Sequence, residues 1–250
     1  MTDVFDQNPP SPPSTPALPL PVHLPHTAAA RRGWDWIREG FTLFMRTPGV
    51  WVGITVVGLL IQIVLSAIPI VNIVVNLLMP VWIGGLALGC HAQASGEPLR
   101  LNHLFAGFGP KLKPLLLCGV IVIVLELLIF AVVLGSTLWE LALQGTNDVS
   151  PEFGVGLLLR LLIALALIVP VYAASWFAPL LIMLSDLDVV SALKQSLAGC
   201  LKNITSLLVY GLVLIPLGIL AALPFGLGML VLAPVLVTSL YLSYREIFID

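Results

Sequence analysis

Six long apolar runs follow one another through this chain, near residues 50–68, 70–90, 114–138, 156–184, 204–223 and 225–243. A helix needs about 20 residues to cross a hydrocarbon core of roughly 30 Å, and each run is close to that length or longer. The composition points the same way. Only 10% of residues are charged, 59% are hydrophobic and the mean hydropathy is +1.07, whereas a soluble domain carries about 25% charge. The expected fold is all-α: a polytopic membrane protein of six transmembrane helices arranged as three hairpins, each preceded by an amphipathic interfacial helix. Residues 31–250 form one membrane domain, which leaves no room for a soluble catalytic one. The net charge of −2 leaves no nucleic-acid footprint.

The positive charges set the orientation. Arg31, Arg32, Arg38 and Arg46 precede the first run, Arg100, Lys111 and Lys113 separate the second from the third, Lys194 and Lys202 separate the fourth from the fifth, and Arg245 follows the sixth. Arg160 alone lies on the opposite side, near Glu140, Asp148 and Glu152. By the positive-inside rule both termini are cytoplasmic. Two turns are tight, at Ala67-Ile68-Pro69 and Leu223-Pro224. Proline removes an N–H and disfavours helix in the residue before it, so both places read as hairpin turns, with a long kinked helix or a re-entrant pair as the alternatives.

Ahead of the first run, Trp34, Ile37, Phe41, Phe44 and Met45 share one arc of a helix, and Asp35, Arg38, Glu39, Thr42 and Arg46 the other. Aromatics opposite arginines mark a helix lying in the headgroup plane, with Trp34, Trp36, Ile37, Phe41 and Phe44 as its interfacial residues. The device recurs before the fifth run, where Val190, Leu193, Leu197 and Leu201 oppose Lys194, Gln195 and Lys202, and more weakly before the third, with Leu101, Leu104, Phe105 and Phe108. Setting Ile37, Arg38, Phe41 and Arg46 against Leu193, Lys194, Leu197 and Lys202 brings Pro69 and Pro224 within one residue of alignment, and Pro80, Pro179 and Pro234 fall inside the second helix of each hairpin. This reads as three units of one design sharing one orientation, unlike the inverted repeats of many transporters.

Few polar residues interrupt the spans: Gln62, Asn76, Glu126 and Ser175 are the candidates, with Asn72 and Arg160 nearer the ends. Glu126 stands near the middle of its run, where a carboxylate costs roughly 2.5–3.5 kcal/mol on insertion scales. It serves either as a proton or cation site or as a buried acid hydrogen-bonded to Gln62, Asn76 or Ser175, and the latter is the simpler reading. Arg160 is expected to snorkel or to pair with Glu140.

Residues 1–30, with eight prolines, read as a disordered proline-rich cytoplasmic tail whose removal leaves the fold intact. Cys90, Cys118 and Cys200 are expected as free thiols, and no ligand pair among Cys90, His91 and His103 has zinc spacing, so neither metal nor cofactor is expected. The sequon Asn203-Ile204-Thr205 abuts a span and is not expected to be glycosylated. No fingerprint of a hydrolase, zinc protease or nucleotide-binding enzyme occurs, so an enzyme is not expected.

Gly33-Trp34-Asp35-Trp36-Ile37, Gly40-Phe41-Thr42-Leu43-Phe44 with Pro48, Leu104-Phe105-Ala106-Gly107-Phe108 and Tyr244-Arg245-Glu246-Ile247-Phe248 resemble a proteobacterial family of predicted inner-membrane proteins of unknown function. More distantly, the layout is similar to the membrane domain beside some bacterial glycerophosphodiester phosphodiesterases. Glu246 stands where that family more often has Asp. The resemblance covers roughly residues 33–248 and implies a compartment and a fold, with no catalytic residue to carry over. The function expected is a non-enzymatic membrane protein that engages lipid or scaffolds partners; a small transporter or channel using Glu126 in a polar path is the alternative. Membrane lipids are the expected partners, and self-association into a homo-oligomer stays open.

The charge distribution makes a direct prediction. Reporter fusions placed after Asp250 and within residues 146–152 should report opposite compartments, with the former cytoplasmic.

Overall fold

A computed structural model describes residues 18–66, 71–144 and 151–250. Among them the chain forms α1 (Arg32–Phe44), α2 (Pro48–Ser66), α3 (Val71–Ala94), a 3-10 helix (Leu101–Phe108), α4 (Leu112–Gln144), α5 (Pro151–Trp176), α6 (Ala178–Ser185), α7 (Val189–Lys202), α8 (Ile204–Ala222) and α9 (Met229–Phe248). Six stretches are long and apolar enough to cross a membrane. In hydrocarbon a segment must satisfy its own backbone polar groups, and for isolated apolar runs the helix does this.

The fourth run does not form one helix. It breaks at Phe177, between α5 and α6. Pro179, in the first turn of α6, has no N–H to extend the ladder of α5, and the Phe177 N–H donates instead to Ser196 Oγ at 2.9 Å. The turn at Pro69 lies outside the described residues. The one at Pro224 is described: α8 ends at Ala222, the chain reverses over residues 223–228, and α9 starts at Met229. Phe225 (φ 52°) and Gly226 (φ 80°) adopt left-handed backbone there. Asn203 at the start of α8 and Ile247 at the end of α9 both bond to residues 26–28, so this pair is a hairpin and not a kinked rod.

The three interfacial helices interlock in a cycle. The 3-10 helix packs on α3, α7 packs on α5, and α1 closes the ring by packing on α9. Each helix therefore lies on the second helix of the preceding unit. Small residues make these contacts. A methyl added at Gly107 would sit 1.9 Å from the Val81 carbonyl oxygen, and one at Gly40 would sit 2.8 Å from the Ser239 nitrogen. Thr238 Oγ1 also donates to the Gly40 carbonyl at 2.9 Å. The shift that sets Ile37 against Leu193 sets Gly40 against Ser196, whose hydroxyl donates to the Ala173 carbonyl of α5 at 2.8 Å. Gly107-Phe108 repeats the pair Gly40-Phe41. Equivalent positions of three units thus make equivalent contacts.

The second helices meet at the centre. Half of the most apolar window of α3 and 44% of that of α9 are buried, against 6–17% for the other four spans, so α3 and α9 carry the core. The short α6 is buried almost throughout and packs on α3. Phe177 meets Phe248 edge-on with ring centroids 5.4 Å apart, the Ser185 and Tyr244 hydroxyls bond at 2.5 Å, and His91 Nδ1 bonds the Tyr241 hydroxyl at 3.2 Å. These residues lie toward the end that carries the C-terminus and most of the arginines and lysines, hereafter the basic end. The far halves of α2, α4, α5 and α8 leave Ile63, Val64, Val132, Leu158 and Ile219 exposed, the surface expected where lipid is the solvent.

Backbone approach this close has no slack. Gly107→Ala should destabilise the fold by about 1–3 kcal/mol, the usual range for an overpacked contact, and lower its thermal midpoint in detergent by several degrees. Gly58→Ala, where nothing lies within 4 Å of the added methyl, should leave the midpoint unchanged or raise it.

Candidate functional site

The motif residues of α1 and α9 tie together. Trp36 Nε1 donates to Glu246 Oε2 at 2.8 Å, and Arg32 Nε reaches both Glu246 oxygens at 2.8 Å. Arg32 also contacts Glu39 at 2.9 Å and Asp35 at 3.4 Å, and the Glu246 carboxylate raises its pKa above the usual guanidinium range. At the other end of α1, Gln93 of α3 donates to the Leu43 carbonyl and to Thr47 Oγ1, both at 2.9 Å, and accepts from Trp51 Nε1 at 3.0 Å. Both ends of α1 are therefore fixed to the basic ends of core helices.

This anchoring divides the expected interfacial face in two. Trp36, Ile37 and Phe44 are buried in the core, with Trp36 fully so, which corrects their assignment to the headgroups. An indole N–H wants a partner when buried, and Glu246 supplies one. Trp34, Phe41 and Met45 remain about half-exposed, as do Leu101 and Phe105 of the 3-10 helix and Val190 and Leu201 of α7. All three interfacial elements thus present large apolar side chains outward.

A cleft of about 430 Å³ opens beside α1. Gly33 sits against the backbone of Ser206 and Tyr210 in α8, and Gly40 against Ser239 in α9, so α1 enters between the two helices at the basic end. At the opposite end, Gly228 lies on Ala221, where an added methyl would be 2.5 Å from Cα, and the hairpin closes. Between wedge and turn is the cleft. Its walls are Trp34, Ile37 and Phe41 from α1, Leu217 and Leu220 from α8, and Val231, Leu232 and Val235 from α9; Arg38 supplies the charge.

Residues 18–30 depart from the free tail expected over 1–30, the rest of which lies outside the described residues. Leu20 N–H donates to the Leu184 carbonyl, His23 N–H to Phe248 and His26 N–H to Ile247, each at 2.8 Å. Helix ends leave carbonyls without partners, and this segment supplies donors to the ends of α6 and α9. Asn203 is the clasp. Its Oδ1 accepts from Ala28 N–H at 2.7 Å and its Nδ2 donates to the His26 carbonyl at 2.8 Å. The sequon asparagine is wholly buried. Nothing in the sequence distinguishes these donors within a proline-rich stretch.

The intramembrane candidates do not converge. Glu126, half-buried on α4, lies within electrostatic reach of Tyr172 of α5, a neighbour outside the three expected for it. Ser175 turns back to the Tyr172 carbonyl at 3.0 Å, Gln62 is exposed on α2 and Asn76 on α3, and none of the four lines the cleft. Arg160 lies half-buried on α5, and the side chain of Glu140 is outside the described residues. The three cysteines are free and buried; burial raises the Cys200 thiol to about 12.

These features define an all-helical, multi-pass membrane protein whose ordered core and interfacial helices gather at one end. The chain belongs to the family of a domain of unknown function, DUF7847, whose model matches residues 110–246. It is also 31% identical over 251 residues to a protein of Burkholderia thailandensis described as a probable inner membrane protein, a similarity covering 88% of this chain and 92% of that one. No solved structure matches it. The resemblance drawn from the motifs therefore holds, and the chain is an integral inner-membrane protein.

Asn203→Ala tests the clasp. It leaves the buried Ala28 N–H without an acceptor, at a cost of about 1–3 kcal/mol. The variant should lose thermal stability and exchange its amide hydrogens at His23 and His26 faster than wild type.

Proposed function

We propose that this protein is a non-enzymatic inner-membrane protein that binds and organises lipid at the cytoplasmic leaflet, with both termini in the cytoplasm. The observation that carries this reading is the outward apolar face of all three interfacial elements, at the same end as ten of the eleven arginines and lysines. Aromatic and aliphatic side chains beside cations suit the boundary between headgroups and acyl chains, where anionic lipid attracts Lys and Arg. The bundle holds each element rigidly there: α1 through Glu246 and Gln93, α7 through Ser196, and the 3-10 helix through Gly107.

The transport alternative draws on Glu126. Its place beside Tyr172 where α4 packs on α5 supports a structural role instead, because a half-buried acid at a helix interface needs no conducting path. Glu126→Gln should accordingly leave folding and lipid binding close to wild type, since the amide is nearly isosteric and stays polar beside Tyr172. Loss of a proton- or cation-dependent flux in proteoliposomes on this substitution would favour transport.

The reading is tested by extracting the full chain with its surrounding lipid and comparing that lipid with the bulk membrane. Enrichment of anionic phospholipid, reduced when Trp34, Phe41 and Met45 are replaced together by Ser, is the expected result. Lipid identical to bulk in both proteins would contradict it.

A further inference from the structure

Resting on that lipid-binding reading, we propose that the cleft between α1 and the α8–α9 hairpin holds an acyl chain of a single phospholipid whose phosphate is bound by Arg38. The shape follows from the wedge. Gly33 and Gly40 seat α1 against α8 and α9 at the basic end, while Gly228 on Ala221 closes the hairpin at the other, so an unfilled apolar slot runs from α1 toward the turn. Its volume of about 430 Å³ lies within the range of small-molecule sites, about 300–1,000 Å³. Leu217, Leu220, Val231 and Leu232 offer such an occupant contact without hydrogen bonding.

Charge identifies the headgroup end. Two arginines on α1 have different surroundings. Arg32 is saturated by Glu246, Glu39 and Asp35. Arg38, six residues further on, lines the cleft and makes no ion pair among the described residues. The nearest acid in sequence, Glu39, is engaged by Arg32. A guanidinium presents paired donors that match a phosphate, and this one sits on an interfacial helix, at the mouth of a slot that leads away from it along the hairpin. Trp34 and Phe41 flank it on the same helix. A zwitterionic or anionic phospholipid satisfies both ends; a free fatty acid or inorganic phosphate satisfies one.

The test uses the full chain, reconstituted into nanodiscs of phosphatidylglycerol and phosphatidylcholine and released for native mass spectrometry. Wild type should retain one phospholipid above the bulk ratio. Val231→Trp, which fills the slot, should abolish that retained lipid. Arg38→Gln, at an exposed position where folding is not at risk, should weaken it by about tenfold, the cost of one charge-assisted hydrogen bond. If both variants keep the wild-type thermal midpoint and the full complement of bound lipid, the cleft is not the site, although the lipid-binding reading survives. If wild type itself carries lipid only at the bulk ratio, that reading fails as well. A change from dimer to monomer on Val231→Trp with no change in lipid would identify the occupant as a second copy and overturn the proposal.

Discussion

Inside a bilayer the hydrophobic effect gives helices little reason to touch, because acyl chains solvate leucine as well as leucine does. Association then depends on dispersion at close approach and on hydrogen bonds. In this protein such approaches occur at Gly40, Gly107 and Ser196, one for each unit, and each presses an interfacial helix onto the second helix of the unit before. The ring closes only because α1, at the start of the chain, reaches α9 at its end. Without that contact the three units would be a row with an open edge.

Polar groups then fix what dispersion alone would leave sliding. Glu246 binds Arg32 and Trp36 at one end of α1, and Gln93 spends its side-chain donors and acceptor on Leu43, Thr47 and Trp51 at the other. Residues 18–30 cap helix ends from outside through Leu20, His23 and His26. Order is therefore concentrated at the basic end, and the far halves of the spans face lipid. The lipid-binding proposal grows from the same asymmetry, since a helix wedged into one end of a hairpin leaves a slot toward the other.

The spans and the interfacial helices were legible in the sequence because lipid imposes length and the interface imposes a period. The break at Phe177 was less so: Pro179 marked it, but an apolar run reads as continuous when its partner, Ser196, is distant in sequence. Trp36 and Phe44 looked interfacial because periodicity distinguishes apolar from polar arcs and not protein neighbours from lipid. The tail misled for a related reason. Composition reports how little apolar surface a segment has, whereas residues 18–30 are held by backbone N–H groups that every sequence except proline possesses. Glu126 stands out in the sequence because a carboxylate in hydrocarbon is costly, whereas Tyr172, its neighbour on α5, reads as one more residue of an apolar run.

Ring closure can be measured in one experiment. With Cys90, Cys118 and Cys200 replaced by Ala, cysteines are placed at Arg32 and Glu246, whose side chains meet between α1 and α9, outside the close glycine contact. A short bifunctional thiol reagent added to native membranes should give an intramolecular crosslink in high yield, seen as a monomer of altered mobility. Absence of the crosslink in folded protein, or its appearance only between two chains, would contradict the closed ring on which this account depends.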